Sequence, residues 1–373
     1  MNVQVIDRPA GASRDKSKLA IADCDIHPSP KSLPVEIYPF LSKRWQNHLE
    51  TYGFIYRQGF PTGPAFQRGQ PDAARRDAYP PNGGRPGSDL QYMREQHLDP
   101  NNVQLGILNP LRSGQGLQNA DLAAAYCRAV NEWQVEEWTS KEVRLKASVM
   151  VNYEDAISSV AEIDHWAGNP NFAQILLLSR TAEPLGQRRY WPIYEAACRA
   201  NLPIGVHAFG YGGTPVTGGG WPSYYIEEMV GHAENTQSLL TSMVFEGVFE
   251  RFPNLKVILI EAGFAWLPAL SWRLDKVWAR NRSEIPHVTR PPSELIQAHI
   301  WLTTQPMEEP EPREHLRDII EMIGWDRLLF ATDYPHWDFD DPTRALPIQI
   351  DTATRERLFL NNALDLFSPR RTS

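Results

Sequence analysis

The sequence predicts an α/β chain folded as a (β/α)8 TIM barrel with a long insertion after the first strand. Three observations predict it. Eight short apolar, β-rich runs recur along the chain, each followed by a helix-like stretch. The runs are apolar almost without interruption, as in a parallel sheet covered on both faces. The length of 373 residues suits one barrel carrying insertions. A doubly wound open sheet is the alternative that the same alternation permits.

Taken in order, the strands are expected at 18–27 (KLAIADCDIH), 103–109 (VQLGILN), 144–151 (RLKASVMV), 172–179 (FAQILLLS), 203–209 (PIGVHAF), 256–262 (KVILIEA), 300–305 (IWLTTQ) and 327–334 (RLLFATDY). Helices are expected at 88–99, 121–140, 154–167, 190–201, 234–251, 264–281 and 312–323, with a last one at 353–367. In 121–140, Leu122, Ala125, Tyr126, Ala129, Val130 and Trp133 fall at helical spacing. Residues 1–17 read as a tail and 18–373 as one barrel domain. The insertion 28–87, rich in Pro, Gly, Arg and aromatics, is too long for a plain loop and reads as a cap over one barrel end. Residues 210–231 (GYGGTPVTGGGWPSYYIEEMVG) read as a lid loop. Their glycines do not lead into a helix in the phosphate-cradle pattern.

Composition narrows the function. Hydrophobic residues make up 42% and charged residues 22%, enough for a large core. The net charge of −8, without a basic run, argues against a nucleic-acid partner. Cys24, Cys127 and Cys198 are scattered and odd in number, which disfavours a disulfide framework or a zinc ribbon. The N-terminal stretch shows no secretory pattern and no apolar run is long enough to span a bilayer, so a soluble cytoplasmic protein is expected.

In such a barrel the active site lies at the C-terminal ends of the strands. Strand one ends in Asp25 and His27, two positions apart and so on one face. Strand five ends in His207, strand six in Glu261 and strand eight in Asp333. Ionisable groups there are costly to bury unless paired or metal-bound. Asp25, His27, His207 and Asp333 form a two-nitrogen, two-oxygen set for one divalent metal: zinc first, with manganese or iron as alternatives. Each residue alone is an ordinary loop anchor; the convergence carries the reading.

The stretches DCDIHPSP, YWPIYEAACRANLPIGVHAFG, VFEGVFERFPNLKVILIEAGFAWLP and WDRLLFATDYPHWDFDDP resemble the amidohydrolase superfamily. The resemblance is to the branch containing aminocarboxymuconate-semialdehyde decarboxylase and the resorcylate-type decarboxylases, and spans about residues 18–367. It implies that Asp25 and His27 are the first-strand metal pair, His207 the fifth-strand ligand and Asp333 the eighth-strand carboxylate. It also implies a homodimer. Two departures stand out. No lysine ends the fourth strand (QILLLSR), which favours one metal over two, and Glu261 stands where decarboxylases of the branch carry a catalytic histidine.

Other candidates are His232, as acid/base or helix cap; His336, as a partner orienting Asp333 or a substrate contact; and Arg180, for a substrate carboxylate or a salt bridge. Trp221, Tyr224 and Tyr225 are candidates for stacking on a substrate or anchoring the lid. The expected activity is decarboxylation of an aromatic or enoic carboxylic acid, with Asp333, Glu261 or His232 as proton donor. The alternative is hydrolysis of an amide, ester, lactone or C–C bond by metal-activated water. A non-haem iron oxygenase built on His27, His207 and Asp333 is a third reading.

Overall fold

The computed structural model describes residues 18–56, 73–211 and 213–367; the N-terminal tail and part of the insertion lie outside the described residues. Eight parallel strands run in chain order: β1 (Ile21–Ile26), β2 (Val103–Leu108), β3 (Leu145–Met150), β4 (Phe172–Arg180), β5 (Ile204–Gly210), β6 (Val257–Ile260), β7 (Ile300–Thr303) and β8 (Leu328–Leu329). Every residue of β4 is buried, as its unbroken apolar run requires.

The open-sheet alternative fails at the seam. Although β8 pairs with β7 over only two residues, the chain continues alongside β1. There the Cys24 N–H donates to Phe330 O at 3.0 Å and the His27 N–H to Tyr334 O at 2.8 Å. The result is a nearly closed barrel with helices outside it.

The helices follow their apolar spacing. Helix Ala120–Gln134 buries Leu122, Tyr126, Ala129, Val130 and Trp133, and Asn119 caps it by accepting the Leu122 N–H at 3.0 Å. Two helices depart from expectation. Lys43–Tyr52 lies inside the insertion and buries Trp45 and Leu49, four residues apart. Pro292–His299 precedes β7. A third difference concerns residues 210–231, where a helix already begins at Tyr225. Glu227 Oε2 accepts the N–H groups of Ser223 and Tyr224 at 2.7 and 2.9 Å, a capping arrangement hidden because tyrosine is an unusual cap.

The described parts of the insertion attach to loops that follow strands. The Gln118 N–H donates to Ile55 O, Trp337 N–H to Ala73 O and Arg75 N–H to Pro335 O. The insertion returns through Gly87 (φ 72°), where a Cβ would lie 2.3 Å from the His27 carbonyl oxygen. Only glycine lets the chain pass this close to the end of β1.

Candidate functional site

The ends of β1, β5, β6 and β8 bring Asp25, His27, His207, Glu261 and Asp333 to one place. A ligand atom from each of Asp25, His27, His207 and Glu261 lies within 4.8 Å of the others. His207 Nε2 is 3.0 Å from Glu261 Oε2 and 3.4 Å from Asp25 Oδ2; His27 Nε2 is 3.2 Å from Asp25 Oδ1 and 2.8 Å from Asp333 Oδ1. Asp25, His207 and Asp333 are fully buried and His27 nearly so.

The orientation of the imidazoles decides what this place can hold. His27 Nδ1 lies 2.7 Å from Asn109 O, and His207 Nδ1 meets Ala208 O. A carbonyl oxygen can only accept, so both Nδ1 atoms carry protons and both neutral rings present an Nε2 lone pair inward. Those two Nε2 atoms and Asp25 Oδ2 are buried without a hydrogen-bond partner. Buried polar atoms are almost always paired. Three orphans facing one another, all of metal-ligating type, fit a divalent cation.

Without a cation, protons must offset the carboxylates. Burial opposes charge on His207, yet Asp25 and Glu261 prevail and push it up to about 10. Burial is likewise overcome at His27, which Asp25 and Asp333 hold well above its usual range. Asp25 and Glu261 are shifted the other way: against burial, the imidazoles keep both carboxylates below their ordinary values. Asp333 differs. Burial and the charge of Glu261 push it up to about 8. His336 Nδ1 lies 2.6 Å from Asp333 Oδ1; the ring stacks on His27 with centroids 4.4 Å apart and is pushed down to about 4 by burial and by His27. Glu261 and Asp333 both adopt left-handed backbone conformations (φ 55° and 62°), which cost on the order of 1–3 kcal/mol each and concentrate at functional sites.

A model of the amidohydrolase family matches residues 22–368. The chain belongs to the amidohydrolase family. A gamma-resorcylate decarboxylase from Polaromonas sp. is 24% identical over 303 residues, covering 76% of this chain and 89% of that protein. Two solved structures share the fold. One is a dihydroxybenzoic acid decarboxylase from Polaromonas sp. with bound manganese and 2-nitroresorcinol (TM-score 0.65, 18% identity, 95% of this chain and 98% of that one). The other is a 5-carboxyvanillate decarboxylase from Novosphingobium aromaticivorans with bound manganese (TM-score 0.68, 18% identity, 95% and 98%).

Within this amidohydrolase barrel the remaining candidates fall at varying distances from the centre. His232 does not cap a helix: it lies two turns inside Tyr225–Phe245, buried, with Nδ1 unpartnered. Burial lowers its pKa, and Glu261, His207 and Arg180 are the charges it feels. Arg180 is buried on the wall, where Nη1 lies 3.3 Å from Glu228 and Nη2 donates to Thr214 O, while Nε has no partner. Tyr225 approaches the acidic side of the site, and its hydroxyl accepts from Trp337 Nε1 at 3.2 Å. Tyr224 and Trp221 are substantially exposed.

Three contributors escaped the sequence reading. Asn109 donates from Nδ2 to Asp25 Oδ1 at 2.8 Å while its carbonyl takes the His27 ring proton. Its own Oδ1 accepts from Ser148 (2.7 Å) and Gln174 (2.9 Å) inside the barrel. It directly follows β2 in GILNP and obeys the same strand-end rule, but its amide is not ionisable. Asp338 groups with Glu261 and Asp333. Gln305 Nε2 lies 3.4 Å from Asp333 Oδ2 and 3.1 Å from Asp338 Oδ2, joining the two.

Proposed function

We propose that this protein is a metal-dependent decarboxylase of an aromatic or enoic carboxylic acid that bears an oxygen beside the carboxylate. The observation that carries the reading is the trio of orphaned ligand atoms, His27 Nε2, His207 Nε2 and Asp25 Oδ2, in a family member whose relatives include decarboxylases. Asp25, His27 and His207 hold one divalent cation, with Asp333 and Glu261 as the carboxylates at its edge. Manganese takes precedence over zinc because solved relatives carry it. When bound, the cation supplies a Lewis acid for the substrate's oxygens.

The chain's own residues supply the proton. Of the three candidate donors, Glu261 faces His207 Nε2 at 3.0 Å and His232 stands outside the group of ligand atoms. Asp333, placed between His27 and His336, is the assigned donor. That proton passes to the carbon bearing the carboxylate. The carbon–carboxylate bond then breaks, its electron pair returns to the carbon framework, and carbon dioxide leaves. Asp333 is left ionised, hydrogen-bonded to His336. Tyr225 and Arg180 line the approach, Arg180 as the candidate anchor for a second anionic group. A homodimer is part of the same reading.

The deciding assay follows carbon dioxide and labelled water oxygen with manganese-loaded protein. Carbon dioxide without solvent oxygen in the product is expected. Solvent oxygen in the product without carbon dioxide would overturn the reading in favour of hydrolysis, the chemistry that Glu261 in place of a histidine favours.

Two further outcomes are expected. Replacing Asn109 with Leu removes the donor to Asp25 while keeping the carbonyl for His27, and should weaken manganese binding about 10–100-fold, as read by competition with a chelator. Metal uptake should also release protons, because His27 and His207 are held protonated when no cation is present. Below its raised pKa His207 keeps its proton and competes with the metal. Apparent affinity should therefore climb with pH up to about 10, and calorimetry in two buffers should count the released protons.

A further inference from the structure

A second buried polar cluster sits at the seam between β1 and β8, outside the set of metal donors. Asp23, His97 and Thr332 are all fully buried. Asp23 Oδ1 accepts the Thr332 N–H at 2.9 Å and the Asp25 N–H at 3.2 Å. Its Oδ2 accepts the Thr332 hydroxyl at 2.5 Å and His97 Nε2–H at 2.7 Å. The Asn101 side-chain amide donates to His97 Nδ1 at 3.1 Å, which places the proton of the neutral ring on Nε2, toward Asp23. The His97 ring lies flat on Tyr334, with centroids 4.7 Å apart and planes 7° apart.

This cluster brackets Asp333. The β7–β8 ladder ends at Leu329, so Thr332 has no strand partner, and the Asp23 carboxylate takes its N–H instead. On the other side of Asp333, the Tyr334 N–H donates to Thr332 Oγ1 at 3.2 Å, its carbonyl takes the His27 N–H, and its ring is held by His97. Asp333 between them has φ 62°, a conformation that a residue with a side chain keeps only when its surroundings impose it. The Asp25 N–H on the same carboxylate locks β1 to this turn.

We propose that Asp23, His97 and Thr332 are positioning residues that hold the left-handed turn and thereby fix the Asp333 carboxyl in its place beside His27. The inference rests on the proposed placement of Asp333 in the active site. Thr332→Val keeps the shape and the backbone N–H but removes the hydroxyl that both donates to Asp23 and accepts from Tyr334. Thr332→Ser restores it.

With 2,6-dihydroxybenzoate, the ligand of a solved relative, as probe and manganese at saturation, Thr332→Val should lose about tenfold in kcat with KM little changed. Thr332→Ser should recover to within about twofold of the parent. His97→Phe, which keeps the ring against Tyr334 but not the N–H, should share the kcat loss. Crystal structures should show Asp333 displaced in Thr332→Val and in place in Thr332→Ser. Unchanged kcat with Asp333 in place, or a deficit wholly repaired by excess manganese, overturns the proposal. If the parent protein releases no carbon dioxide from the probe, the functional reading fails for that substrate, while the position of Asp333 in Thr332→Val still decides the role of the cluster.

Discussion

Replacing His207 with alanine is expected to strip the cation from the protein and reduce decarboxylation to background. His207 Nε2 stands between Asp25 and Glu261, 3.4 and 3.0 Å from their oxygens, and its other nitrogen is fixed to a backbone carbonyl. The only other imidazole in that group of four ligands, among the described residues, is His27. If about 10–16 kcal/mol of metal binding is spread over four donors, losing one costs about 2.5–4 kcal/mol, or roughly 70–1000-fold in affinity. His232→Ala is the control, because His232 is buried nearby yet outside that group. Elemental analysis of both variants checks the result: a His207→Ala protein that keeps a full equivalent of manganese would sink the metal assignment. The variant should also melt earlier when metal-free, since Asp25 and Glu261 lose the positive group between them.

The barrel was legible because its signals are local. Each strand is a short apolar run with punctuation on both sides, and all eight expected strands overlap observed ones. The convergence of Asp25, His27, His207, Glu261 and Asp333 was legible for a related reason: a barrel sends strand ends to one mouth, so polar strand-end residues nominate themselves. What escaped depends on contacts distant in sequence. Asn109 looks like a loop residue until Asp25 and His27, more than eighty positions away, converge on it. Asp23 looks like one more acidic residue beside Asp25 until Thr332 and His97 are seen to occupy it. Helix Lys43–Tyr52 was hidden in a segment whose composition spoke for loop, since only Trp45 and Leu49 mark its inner face. Glu261 stands at the expected strand end, but only the fold shows that its Oε2 faces His207 Nε2 at 3.0 Å.

Asp333→Asn should bind metal and substrate yet turn over about 100- to 10,000-fold more slowly, the range that a general acid supplies. The substitution suits the backbone, because asparagine tolerates the left-handed conformation that Asp333 adopts. It also suits the neighbours: the amide oxygen can still accept from His336 Nδ1. What it lacks is a proton to transfer. A thousandfold loss corresponds to about 4 kcal/mol of transition-state stabilisation. Glu261→Gln should behave otherwise. By removing a carboxylate that faces His207 Nε2, it should weaken metal binding more than it slows turnover at saturating manganese. The pair of variants thus separates proton delivery from cation holding. If Asp333→Asn keeps parental kcat while Glu261→Gln loses it, the acid has been assigned to the wrong strand, and the carboxylate at the end of β6 takes its place.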